Sequence, residues 1–103
     1  MRIILSNLPP DKGTEIAKVL VQEGLAACIN LFPIKSVYRW KGELCVDDEV
    51  TLFIKVPHEK VEPLKARLLA LHPYELPEIL ALDVDEKDSH AAYVKWVREC
   101  CGG

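Results

Sequence analysis

The sequence predicts one α+β domain of the ferredoxin-like kind, βαββαβ plus a C-terminal helix, with an antiparallel sheet. Three observations predict it. Strand-like and helix-like segments follow one another in the split-βαβ order. Two long strand-like segments, 26–40 and 44–56, flank the short turn Lys41-Gly42-Glu43 and so form a hairpin. The third and fourth strands carry apolar side chains at both alternating sets of positions: Val50, Leu52 and Ile54 beside Phe53, and Leu80, Leu82 and Val84 beside Ile79 and Ala81. A sheet with water on one face alternates apolar and polar, so the second face is expected to be covered by other copies of the chain.

Residues 2–8 read as the first strand, and Pro9-Pro10-Asp11 as a turn. Helical spacing of Ile16, Val19 and Leu20 predicts a helix over Thr14–Glu23, stopped by Gly24. Ala26 to Trp40 is the second strand, and Pro33 inside it predicts a bulge or an edge position. Leu44 to Val56 is the return strand. Some 15 extended residues span ~50 Å at ~3.3 Å each, against a radius of gyration of ~13 Å for a domain of about 100 residues. The hairpin is therefore expected to bend at Pro33 or to reach past its own domain onto a neighbour. A second helix, His58 to Leu71, sets Val61, Leu64, Leu68 and Leu71 on one face. His72-Pro73-Tyr74-Glu75-Leu76-Pro77 is a rigid connection to a fourth strand, Ile79–Val84. Tyr93, Trp96, Val97, Cys100 and Cys101 fit the stripe of a last amphipathic helix.

At 103 residues the chain suits a single domain, 1–103. Its formal charge is −3, with Lys and Arg interleaved among Asp and Glu, so no basic stripe exists to follow a phosphate backbone and no nucleic-acid partner is expected. The acidic runs Asp47-Asp48-Glu49 and Asp83, Asp85, Glu86, Asp88 read as solvated loops and strand ends. No stretch approaches the ~18 apolar residues of a membrane span, and a cytoplasmic location is expected. Cys28, Cys45, Cys100 and Cys101 are not spaced as CxxC, so they are expected to be thiols and not a zinc site.

No catalytic constellation stands out. Ser6, Cys28, His58, His72 and His90 are scattered, and Cys28 reads as a mid-strand core residue. Cys100 and Cys101 are adjacent, which on a helix turns their side chains about 100° apart and suits packing better than chelation of Cu(I). Pro9 and Pro10 lack amide protons, which makes the first turn a poor phosphate cradle. One group remains: Tyr38 and Trp40 near the hairpin tip, Lys55 on the return strand, and His72 and Tyr74 flanking Pro73. These residues are expected to line a cleft for an anion or small ligand, or else to be ordinary packing aromatics with a snorkelling Lys.

At these positions the chain resembles the CutA family of divalent-cation tolerance proteins. The matching blocks are Gly24-Leu25-Ala26-Ala27-Cys28-Ile29-Asn30, Tyr38-Arg39-Trp40-Lys41-Gly42-Glu43, Glu49 through Lys55, and His72-Pro73-Tyr74-Glu75-Leu76-Pro77-Glu78-Ile79. The resemblance implies a ferredoxin-like subunit in a tight homotrimer, similar in plan to the PII signalling proteins, with no established reaction and a link to copper and other divalent ions. The implied metal ligands carry over in part. Ser6 stands where some members have Cys, and Leu71 precedes His72 where some have two His, so His72 is the one matched ligand and weak Cu2+ binding is expected.

The leading expectation is a trimeric, non-enzymatic protein of metal-ion homeostasis, with His72 as metal ligand and Tyr38, Trp40, Lys55 and Tyr74 lining an inter-subunit cleft. The alternative is a PII-like anion or small-molecule sensor, or a small-molecule enzyme, using Lys55 and His72.

Overall fold

The computed structural model describes residues 1–102. Its elements are β1 (Arg2–Leu8), α1 (Pro10–Gln22), β2 (Cys28–Trp40), β3 (Glu43–Val56), a 3-10 turn (His58–Lys60) running into α2 (Val61–Leu71), β4 (Leu80–Asp83) and α3 (Ala91–Cys100). The sheet order is β2-β3-β1-β4 and all three pairings are antiparallel. This is the expected ferredoxin-like arrangement. α1 begins at Pro10 and not at Thr14. Proline at the first helical position loses only an amide that has no helical partner anyway, so the predicted turn is the helix's first turn.

β2 and β3 pair without a slip from Cys28↔Lys55 to Trp40↔Glu43, passing straight through Pro33↔Val50. There is no shift of register at Pro33. The proline sits on the sheet's edge strand, where a missing donor is tolerated. β1 stops pairing at Leu8↔Val50. Beyond that point the hairpin continues alone as a two-stranded arm, residues 34–49, in a molecule 45 × 27 × 21 Å in extent. The arm carries Val37 (67% exposed), Leu44 (74%) and Val46 (56%).

One face of the sheet, with Ile4, Leu8, Leu52, Ile54 and Val56, packs on Ile16 and Leu20 of α1 and on Leu64 and Leu68 of α2. Burial of one such aliphatic side chain contributes about 1.5–3 kcal/mol, so this layer is the main stabilising unit. Ser6 is fully buried on the same face, its Oγ without a partner. The other face, expected to be left to neighbouring copies, is in part covered within the chain: Val94, Val97 and Cys101 pack on Met1 and Ile3, with Leu5 and Phe53 beside them. The buried stripe of α3 is therefore 94, 97 and 101. Tyr93 and Trp96 stand on its exposed shoulder, ring centres 5.4 Å apart, and Cys100 is exposed. Phe32, Leu80 and Leu82 remain uncovered.

Gly13 faces Val50 so closely that a Cβ there would overlap Val50 Cγ1. Gly13→Ala is expected to push α1 off β3 at a cost of about 1–3 kcal/mol. Urea unfolding measures it, and an unchanged midpoint would show that α1 moves away without penalty.

Candidate functional site

Side chains at paired positions of an antiparallel ladder share a face. On the arm this sets Ile34, Ser36, Tyr38 and Trp40 beside Glu49, Asp47, Cys45 and Glu43. The connection after α2 closes over the same place. Tyr74 donates its hydroxyl to Glu49 Oε2 at 2.7 Å. Together they bound a cleft of about 540 Å³, lined by the rings of Tyr38, Trp40 and Tyr74, the acidic residues Glu49, Glu75 and Glu78, and Asn7, Ser36, Val37 and Leu76. That volume lies within the roughly 300–1,000 Å³ range of small-ligand sites.

His72 holds the connection in place. Its Nδ1 accepts the Tyr74 backbone N–H at 3.2 Å, and its Nε2 lies 3.0 Å from the Asn7 carbonyl. Nδ1 must be unprotonated to accept, so the proton is assigned to Nε2, which donates to Asn7. The ring is 8% exposed. Burial pushes its pKa below the ordinary 6.5, opposed by the bond to Asn7 and by the Glu49 charge. The phenols shift the other way. Tyr38, hydrogen-bonded to Asp47, is pushed up to about 12, and Tyr74 is raised by burial and by Glu49. Both stay protonated at neutral pH and act as donors to carboxylates.

The structure thus brings together Tyr38, Trp40 and Tyr74, with His72 behind them. Lys55 is elsewhere. It lies toward the opposite end of β3, its Nζ 3.8 Å from Cys28 Sγ and 5.6 Å from the Tyr93 ring centre. Strand pairing alone separates the two places, since Lys55 pairs with Cys28 while Tyr38 pairs with Cys45. Cys28 is half-buried at the start of β2 and is not a core residue. The anion reading built on Lys55 and His72 loses its support within one protomer, because the cleft has carboxylates and no Lys or Arg in its wall, and the imidazole is held neutral.

Within one protomer both ring nitrogens of His72 are engaged, Nε2 with the Asn7 carbonyl and Nδ1 with the Tyr74 amide, so neither is free for copper in this arrangement. Among the described residues no group of three or more His, Cys, Asp and Glu is placed to hold a metal ion. A resident metal centre does not fit the side chains of a single protomer.

Sequence reasoning missed Glu49. The run 47–49 looked like a solvated loop, yet it lies inside β3 and Glu49 is 8% exposed. The signal was its spacing from Thr51 and Phe53, which strand alternation places on the same face.

The description "CutA1 divalent ion tolerance protein" belongs to the family model that matches residues 3–100. The Divalent-cation tolerance protein CutA of Thermus thermophilus is 42% identical over 102 residues, covering 97% of both chains. Human Protein CutA is 42% identical over 86 residues, 82% of this chain and 47% of the human one. Among solved structures, the PII-like protein CutA from Nostoc sp. PCC 7120 in apo form superposes with a TM-score of 0.96 at 48% identity, covering 98% of this chain and 97% of that one. CutA1 from Pyrococcus horikoshii gives 0.93 at 34% identity over the full length of both. With 97% of its length matched at 42% identity and the same split-βαβ sheet, this chain belongs to the CutA1 divalent ion tolerance protein family.

Proposed function

We propose that the chain works as a non-catalytic cytoplasmic homotrimer in divalent metal-ion tolerance, copper included, with the cleft at the root of the arm lying between subunits. The observation that carries this reading is the arm itself. A two-stranded ribbon is marginal alone in water, and this one extends beyond the third strand with Val37, Leu44 and Val46 uncovered. A second copy supplies the missing packing. Both edges of the sheet, β2 and β4, are open to neighbours. Among the described residues no helix is long and apolar enough to cross a membrane. Sedimentation equilibrium at micromolar concentration is expected to give a mass three times the 11.6 kDa of the chain. A folded monomer there would overturn the proposal.

The link to copper is tested separately. With both His72 nitrogens engaged, Cu(II) binding is expected to be weak and independent of that residue. Calorimetry on wild type and His72→Ala should give the same Cu(II) affinity within a factor of about three. A tenfold loss in the variant would mean that the imidazole leaves Asn7 and Tyr74 to bind metal.

A further inference from the structure

At the end of the sheet away from the arm, the first rung of the β2–β3 ladder pairs Cys28 with Lys55. Paired side chains stand on one face, with Cβ atoms ~4.5–5.5 Å apart. The Lys55 side chain turns its amine back across that rung. Its Nζ donates to Cys28 Sγ at 3.8 Å and lies 5.6 Å from the centre of the Tyr93 ring on α3. Among the described residues Cys28 is the one cysteine hydrogen-bonded to a lysine, while Cys45 bonds a backbone carbonyl. A neighbouring ammonium favours the thiolate, the form that oxidants attack. All four cysteines are free thiols, and the nucleophile in contact with the Cys28 sulfur is the Lys55 amine.

We propose that Cys28 and Lys55 form an oxidant-responsive crosslink, in which hydrogen peroxide converts the thiol to a sulfenic acid and the amine condenses with it to a sulfenamide. In the first step the sulfur attacks a peroxide oxygen. The S–O bond forms, the O–O bond breaks, and hydroxide leaves with the thiol's proton as water. In the second step Lys55, having given its extra proton to solvent, attacks the sulfur through Nζ. The S–N bond forms, the S–O bond breaks, and hydroxide leaves with an amine proton as water. One thiol, one amine and one peroxide thus give one sulfenamide and two waters, and the two electrons lost by sulfur reduce the peroxide. Even a backbone nitrogen captures a sulfenic acid in this way, and a free amine is the stronger nucleophile. The observed contact is close to the ~3–3.5 Å of reacting atoms. Excess thiol reverses the bond by attacking the sulfur. The crosslink ties the base of the hairpin and removes the Lys55 charge from beside Tyr93. It stands on a strand pair within one protomer and goes beyond the tolerance role.

Peptide mapping of the wild-type protein after one equivalent of hydrogen peroxide tests it. The expected product is lighter by two hydrogen atoms, with the Cys28 and Lys55 peptides joined and trypsin no longer cutting after Lys55. Dithiothreitol should restore both. Dimedone, which traps sulfenic acids, should label Cys28 several-fold more in Lys55→Arg, whose guanidinium keeps the charge but does not condense. Cys28→Ser should give no joined peptide. Recovery of Cys28 as a free thiol, a sulfinic acid or an interchain disulfide in place of the joined peptide would overturn the proposal. So would equal dimedone labelling of wild type and a folded Lys55→Arg. The wild-type map decides by itself if either variant folds poorly.

Discussion

Val46→Asp is expected to abolish the assembly while leaving the fold of each subunit's core in place. Val46 pairs with Val37 on the arm, and both side chains are more than half exposed in the single chain. For a lone subunit a polar residue there costs within about ±0.5 kcal/mol, as at other surface positions. In a trimer that buries the arm, the carboxylate is desolvated without a partner, and an uncompensated buried charge costs about 3–5 kcal/mol for each contact. Three equivalent contacts multiply the effect. The control lies on the same arm: Lys35→Ala breaks an exposed pair with Asp48 at 3.3 Å and should change stability by about 0–1 kcal/mol. Sedimentation separates the outcomes. The melting temperature of wild type should also rise with protein concentration, a dependence the variant loses. A Val46→Asp protein with full trimeric mass and an unaltered melting temperature would show that the arm is not where the subunits meet.

His72→Ala is expected to cost about 2–4 kcal/mol, from a lost buried ring and from the Asn7 carbonyl and Tyr74 amide left without their partner. The same contacts set a pH dependence. The folded pKa of His72 lies below the ordinary value because burial disfavours the charged ring. The unfolded chain therefore takes up the proton first, and stability rises with pH across the interval between the two pKa values. The contribution is complete above the unfolded value of about 6.5. It is lost as pH falls from there toward the folded value, when protonation of Nδ1 ends its acceptance from Tyr74. Urea midpoints of wild type should thus fall between neutral and mildly acid pH, and His72→Ala should flatten that part of the profile. Parallel slopes in the two proteins would assign the acid sensitivity to other groups.

The fold was legible because it rests on local patterns. Alternation marked the strands, the i, i+3, i+4 spacing marked α1 and α2, and Gly24 and Gly42 marked a helix end and a turn, both with positive φ. The family could be read from the blocks around Trp40 and His72-Pro73-Tyr74, which survive as contiguous words in the chain. Apolar residues on both sheet faces were also visible, but not what covers them. Val94, Val97 and Cys101 were indistinguishable by spacing from the neighbouring stripe of Tyr93, Trp96 and Cys100, because adjacent helical positions differ by only about 100°.

The site itself was decided in three dimensions. Tyr38, Trp40 and Tyr74 could be nominated as residue types, but Glu49 and the distance of Lys55 from them within one protomer could not. Glu49 is an acid in an acidic run, and the connection, fastened by His72 to the end of β1, brings the Tyr74 hydroxyl onto it. Within one protomer an unbroken ladder from Cys28 to Trp40 holds Lys55 at the far end of the strand from Tyr38 and Trp40. A sequence states which charges exist. Burial and partnership determine what those charges require, and both depend on which distant segments the fold brings into contact.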